Sequence, residues 1–309
     1  MAALSGLGLT VEPLRWWDES QTGDVIHYFG RMPAEHVRFA HKKKLKAVMV
    51  ELLTEQGSRS PRRLFIQKCI SRAIERVAPR SFIAAFNWET YRLADALIAN
   101  TPWEKHLMEY LFDADPQKVH VVPNGVEAVF FNSPAVTRGP WLVCTGTLTG
   151  RKRVLTLAQA AVAAETPVWV IGRAYADGDP YSEKFLAFAK ANPKWIRYEG
   201  AISDRGELAK IYRSARGFVL LSTMETRSLS AEEAVACECP VLLSDLPWAH
   251  GTFATGAQFC PMTDSVFATA KVLREFYEAA PRLPCPPKPL TWPEVGRKIV
   301  AVYEKALAG

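Results

Sequence analysis

A chain of 309 residues with 49% hydrophobic and 23% charged residues can bury a substantial core, and its length points to about two domains. Disorder as the main state is excluded, and no run nears the roughly 18 to 20 uninterrupted apolar residues that a membrane-spanning helix requires. The start of the chain lacks the charged head and cleavage site of a signal peptide, and a cytoplasmic location is expected.

The formal charge of +6 is unevenly spread. Between Arg31 and Arg80 thirteen Lys or Arg face four Glu, with Lys42, Lys43, Lys44 and Lys46 in one cluster and Arg59, Arg62, Arg63, Lys68, Arg72 and Arg76 following. This segment is a candidate for peripheral contact with an anionic membrane, on the inner membrane face, or with a phosphorylated glycan; a solvated helix face accounts for the charge equally well. Nucleic acid is not an expected partner, because no helix-turn-helix, zinc module or stacking-aromatic motif accompanies the charge. The six cysteines are scattered, as suits a reducing compartment. Cys237 and Cys239 have no second pair nearby at zinc-binding spacing, so no metal site is expected there.

Short apolar runs alternate with longer amphipathic stretches, the pattern of an α/β protein with parallel sheets. In chain order the predicted strands are 24–28, 46–50, 96–99, 119–122, 141–144, 168–171, 196–198, 218–222 and 241–244. Ligands of such sheets collect beyond the carboxyl ends of the strands. His27 is read as ending the first strand and pointing into a cleft between domains, where it would contact acceptor or donor sugar, although a lone His at a strand end is more often structural. Turn formers over 132–140 predict a boundary, giving an N-terminal domain over 1–135 and a C-terminal domain over 136–285. Five prolines within 281–289 predict an extended segment, so 286–309 is read as a linker and an amphipathic closing helix packing back toward the N-terminal domain. The D-x-D strings Asp113 to Asp115 and Asp177 to Asp179 do not directly end strands, and turn formation explains them better than metal binding.

The strongest chemical signal follows the predicted strand 218–222. Glu225 lies in a loop, a helix begins at Ser228 and Leu229, and Glu233 follows in its first turns, so two carboxylates can face one crevice. The helix start adds free N–H groups and a positive dipole end that favour an anion.

This E-x7-E arrangement, with the Pro240–Val241 strand start and Ser244–Asp245 after it, resembles the family-four, group 1 glycosyltransferases. Segments 94–101, 118–126 with Phe130, 146–152, 198–200 and Thr291–Trp292 are similar to further elements of that family, in order and at fitting distances. The resemblance implies a GT-B fold, two Rossmann-like doubly wound domains with a cleft between them, and an N-terminal domain lacking its first β-α unit. It implies a retaining transfer of a hexose or related sugar from a nucleoside-diphosphate sugar to a glycan or lipid-linked acceptor, without metal or other cofactor. By position, Gly146, Arg151 and Lys152 would hold the donor diphosphate, with Arg173 a candidate second phosphate ligand and Gly200 at the second half of the donor site. Glu233 would accept from the ribose hydroxyls, and Glu225 would sit beside the transferred sugar. Fixed cations facing a leaving diphosphate stabilise the charge that grows there, which makes a metal dispensable.

The sequence departs from the family in three places. No glycine-rich first loop is present, Glu51, Leu52 and Leu53 stand where many relatives have a histidine, and Thr226-Arg227-Ser228 replaces a Gly-Phe-Gly loop. A catalytically weakened nucleotide-sugar-binding or partner-binding protein and a sugar-nucleotide epimerase of the same fold are the alternatives. A dinucleotide oxidoreductase ranks last, since no G-x-G-x-x-G follows a strand.

Overall fold

The computed structural model describes residues 1–15, 17–132 and 136–309, with Arg80 described by its backbone alone. Residues 133–135 of the expected boundary and the Arg80 side chain that closes the basic segment therefore lie outside the described residues. Contacts divide the chain into two units, Met1–Gly125 with Leu290–Gly309, and Val126–Pro289. The divisions thus fall after Gly125 and Pro289, where turn composition had pointed to 135 and 285. The physical reason is Phe130: it is fully buried with Tyr212 and Phe218 in the core of the second unit. Its carbonyl accepts from Arg213 Nη2 at 2.7 Å, tying the segment before the turn formers to that unit.

The first unit carries β1 (Val25–Phe29), α1 (Ala34–Lys42), β2 (Lys46–Val50), α2 (Pro61–Val77), β3 (Ala96–Ala99), α3 (Pro102–Phe112) and β4 (Val119–Val121). The four strands form one parallel sheet in the order β1-β2-β3-β4. Strand side chains alternate between faces, and the core divides accordingly. Ala47, Met49, Leu97 and Ala99 join Leu107, Leu111 and Tyr91 on one face, while Val48, Ala96 and Ile98 meet Val295 and Val302 on the other. Each fully buried Leu, Met or Val side chain contributes about 1.5 to 3 kcal/mol of hydrophobic stabilisation.

The second unit runs through β5 (Leu142–Thr145), α4 (Val154–Ala163), β6 (Val168–Ile171), α5 (Pro180–Ala191), β7 (Ile196–Tyr198), α6 (Arg205–Ser214), β8 (Gly217–Leu220), α7 (Leu229–Ala236), β9 (Val241–Ser244), β10 (Gln258–Cys260) and α8 (Val266–Ala279). All six strands are parallel, in the order β10-β9-β8-β5-β6-β7. The chain winds outward one way from β5 and the other way from β8, so the topological switch lies between these two strands. Alternation again splits the core, with Val143, Phe218, Leu220 and Leu243 under α6 and α7, and Leu142, Cys144, Val219 and Leu242 under α4 and α8. Cys237 and Cys239 are buried within the first of these clusters, where they pack as small apolar residues.

Strand β10 escaped the sequence reading. Three residues at a sheet edge, one of them an exposed Gln, leave no apolar run to detect. After the proline-rich segment, α9 (Trp292–Ala308) returns to the first unit. Its start is held by a capping box between Thr291 and Glu294. The backbone of Trp292 lies so near Gly125 that a Cβ there would come within 2.8 Å of its nitrogen. Only glycine fits at that crossing.

Candidate active site

The candidate site belongs to the second unit, beyond the carboxyl ends of β5 and β8, where an open α/β sheet leaves room for a ligand. The loop after β5 forms a short 3-10 turn, Gly150–Lys152, capped by Thr149. It presents Arg151 and Lys152. The loop after β8 presents Glu225, and Ser228 then caps α7 by accepting from the Ala231 N–H.

These two loops are joined. Glu225 Oε1 accepts from Lys152 Nζ at 2.5 Å, from Arg151 Nη1 at 2.9 Å and from Ser222 Oγ at 2.8 Å. Main-chain bonds reinforce the junction, since Thr223 N donates to the Arg151 carbonyl at 2.8 Å and Arg151 Nη1 to the Met224 carbonyl at 2.6 Å. Lys152 is largely buried and Arg151 is partly open, their side chains 11% and 42% exposed. Two cations against one carboxylate leave the group at net +1, which suits it to receive an anion.

The floor is made of glycines. A Cβ on Gly172, after β6, would fall 1.9 Å from the Gly146 carbonyl oxygen, after β5. The Gly172 N–H in turn donates to the Gly200 carbonyl, after β7, at 3.0 Å. Three neighbouring strand exits are thus locked together, with the Lys152 side chain lying against Gly146. Arg173 follows on the exposed rim and Leu229 opens α7 half-exposed, so Gly146, Gly200, Arg151, Lys152, Arg173, Ser228 and Leu229 all belong to loops at this end of the sheet.

Glu233 stands apart from Glu225 in its partners. It is buried on α7, its Oε1 paired with Arg205 Nη2 and its Oε2 3.4 Å from the Tyr212 hydroxyl, which also bonds Thr145 Oγ1 at 2.6 Å. Burial pushes the Glu233 carboxyl above its usual range, against the pull of Arg205. Arg205, Tyr212, Thr145 and Ser222 were not singled out from sequence. Nothing in their spacing separates them from ordinary helix and strand residues, and only the close packing of α6 on α7 brings the first two to Glu233. The altered loop is occupied by its own ion pair, in which Arg227 Nε donates to Glu232 Oε1 at 2.5 Å.

His27 does not end its strand. It is the third of five residues in β1, on the face covered by α9, where its Nδ1 lies 2.5 Å from the Tyr303 hydroxyl and its ring stacks on Phe29. Burial lowers its pKa to about 4, so the imidazole is neutral at physiological pH. Strand alternation is what turns it under the closing helix, and the expected sugar contact gives way to a structural one. The two D-x-D strings serve the chain locally. Asp113 ends α3 in the left-handed region and pairs with Arg72, Asp115 accepts from Gln117 N, and Asp179 caps α5 through Ser182 N.

Residues 139–279 match the family model of the group 1 glycosyl transferases. Over this segment the chain is similar to a group 1 glycosyltransferase domain. The segment contains every residue of the site just described, from Gly146 to Glu233. The D-inositol 3-phosphate glycosyltransferase of Jonesia denitrificans is 29% identical over 174 residues, which cover 49% of this chain and 41% of that protein. The similarity thus spans about two fifths of the curated relative. Among solved structures, a glycosyltransferase from Rickettsia africae superposes with a TM-score of 0.64 at 14% identity, covering 92% of this chain and 77% of that one. Anabaena HepE, solved in complex with UDP, superposes with a TM-score of 0.61 at 14% identity, covering 91% and 76%. At these identities the likeness is one of fold: two Rossmann-like α/β units with parallel sheets, of the GT-B kind. Among the described residues no helix is long and apolar enough to cross a membrane.

Proposed function

We propose that this protein transfers a hexose or related sugar from a nucleoside-diphosphate donor to a glycan or lipid-linked acceptor, with retention of configuration and without a metal ion. The observation that carries the reading is the Arg151–Lys152–Glu225 cluster at the switch between β5 and β8. As the bond from sugar to diphosphate breaks, negative charge grows on the leaving group, and Arg151 and Lys152 are placed to receive it. Donor binding exchanges the Glu225 carboxylate for diphosphate oxygens on these cations and frees Glu225 to face the sugar. With no Cβ on Gly146, Gly172 or Gly200, the strand exits leave space for the diphosphate beside Lys152. Glu233 keeps lone pairs on Oε2 for ribose hydroxyls, because the Tyr212 contact is long. UDP is the first nucleotide to try, since Anabaena HepE was solved with it.

Calorimetric titration of UDP in the presence of a chelator tests this reading. Binding without metal is expected; binding that disappears on chelation and returns with magnesium or manganese would overturn the metal-free assignment.

A second reading, donor binding without efficient turnover, draws on the residues after β2. There Glu51 is held by Arg31 at 3.0 Å and by the Tyr91 hydroxyl, an internal pair in place of a free histidine. Release of UDP from UDP-sugars with and without acceptors separates the two readings, and a changed sugar without acceptor would instead indicate an epimerase.

A further inference from the structure

The outward face of α2 is apolar where a helix surface facing water is ordinarily polar. Ile66, Ile70, Ala73 and Val77 recur at i, i+4, i+7 and i+11, which aligns them along one face, opposite the buried Leu64 and Ser71. Ile66 and Ile70 are each 55% exposed and Val77 83%. Phe82, on the short helix that follows, Arg80–Ala84, is 53% exposed. Along one flank the stripe continues into an apolar groove of about 430 Å³, walled by Ile66, Ile70 and Ile74 on one side and by Trp88, Leu111 and Phe112 on the other.

The charges on α2 beside this stripe are basic, and Glu55, which lines the groove, is engaged by Arg59. Arg62, Arg63 and Arg76 border the stripe and form no ion pair among the described residues. The single acid of α2, Glu75, is engaged by Arg72 and Arg92. A second copy of α2 packed on this face would set these arginines against their own kind with no free acid to pair them. An anionic lipid surface complements both the apolar stripe and the arginines.

We propose that the outer face of α2 docks on an anionic lipid bilayer, the Ile66–Ile70–Val77 stripe entering the headgroup boundary and Arg62, Arg63 and Arg76 meeting lipid phosphates. This goes beyond the donor-site reading and does not rest on it, because α2 belongs to the first unit and the donor cluster to the second.

The test is co-sedimentation of the full chain with phosphatidylcholine vesicles, with and without 30% (~1 in 3) phosphatidylglycerol. Binding is expected to the anionic vesicles, to weaken as salt rises, and to be negligible on the neutral ones. The double variant Arg62→Gln, Arg63→Gln should lower the partition coefficient about 25-fold, near fivefold per arginine. Ile66→Asp with Ile70→Asp should reduce binding to background while the far-UV circular dichroism spectrum stays as in the wild type. Both pairs sit on the helix surface, and the arginine pair leaves the apolar stripe intact should the aspartate pair perturb folding. Equal binding to neutral and anionic vesicles, or an arginine variant that partitions like wild type, would overturn the proposal. So would a wild-type dimer that ignores vesicles and is dissociated by the two aspartates.

Discussion

Lys152 Nζ lies 2.5 Å from Glu225 Oε1, so the carboxylate after β8 is held by the cation after β5. The contact spans the switch point of the sheet, and removing either partner alters the charge presented there. Lys152→Ala is expected to lower kcat by the equivalent of about 2 to 4 kcal/mol in barrier height, as loss of an oxyanion donor does. Stability should change little, since Arg151 and Ser222 still hold Glu225. A steady-state comparison with saturating donor decides it: unchanged kcat would remove Lys152 from the leaving-group role.

The two glutamates should separate in kinetics. Glu233→Ala is expected mainly to raise the donor KM, because a ribose contact acts in ground state and transition state alike. Glu225→Gln is expected mainly to lower kcat, because its neighbourhood changes charge as the bond breaks. Wild-type donor affinity in both Lys152→Ala and Glu233→Ala, measured by calorimetry, would displace the site itself.

Breaking the pair beneath Glu233 has a cost in stability. Arg205→Ala leaves a buried carboxylate with one long contact to Tyr212, and a loss of about 1 to 2 kcal/mol is expected, below the range for a fully buried pair because Arg205 is partly solvated. Denaturant unfolding of the variant measures it. A loss under about 0.3 kcal/mol would mean that the ion pair contributes no more than an exposed one.

Gly172→Ala tests the glycine floor. Its Cβ would overlap the Gly146 carbonyl oxygen, and the main chain that carries Lys152 would have to move. A destabilisation of about 3 kcal/mol or more is expected, with weakened UDP binding. Gly139→Ala, whose Cβ would meet its nearest neighbour at an ordinary 3.5 Å, is the control and should stay within about 0.5 kcal/mol of wild type.

Two buried groups of the first unit oppose one another in acid. Burial raises Glu104 to about 7, although its oxygens accept from Leu53 N and Asn100 N. Its contribution is full below the unfolded value near 4.5 and is lost as pH rises through 7. Burial lowers His27 from 6.5 to about 4, so its contribution is full above 6.5 and is lost as pH falls toward 4. Relative to wild type, Glu104→Gln should therefore lose stability as pH falls from 7 to 4.5, and His27→Gln should gain it. Each difference is on the order of 2 to 3 kcal/mol at most. Thermal midpoints at a series of pH values read the slopes, and parallel curves for wild type and both variants would contradict this account.

The strands were legible in sequence because buried parallel strands are short apolar runs ending at polar or small residues. Nine of the ten strands among the described residues appear where those runs stand, and β10 did not because its three residues make no such run. The Arg151–Lys152 and Glu225 loops were picked out by their resemblance to a family motif, and a motif is a local string that a linear chain displays. What surrounds them is not local. Arg205 is 28 residues from Glu233, and the Lys152–Glu225 contact joins residues 73 apart. Only the winding of the sheet outward from β5 and β8 makes these neighbours. His27 shows the same division from the other side. Its place on an apolar strand was readable, but which face of β1 it occupies, and that α9 returns 276 residues later to cover it with Tyr303, was decided by tertiary packing. Period-two alternation assigns residues to two faces without saying which face a later helix will bury.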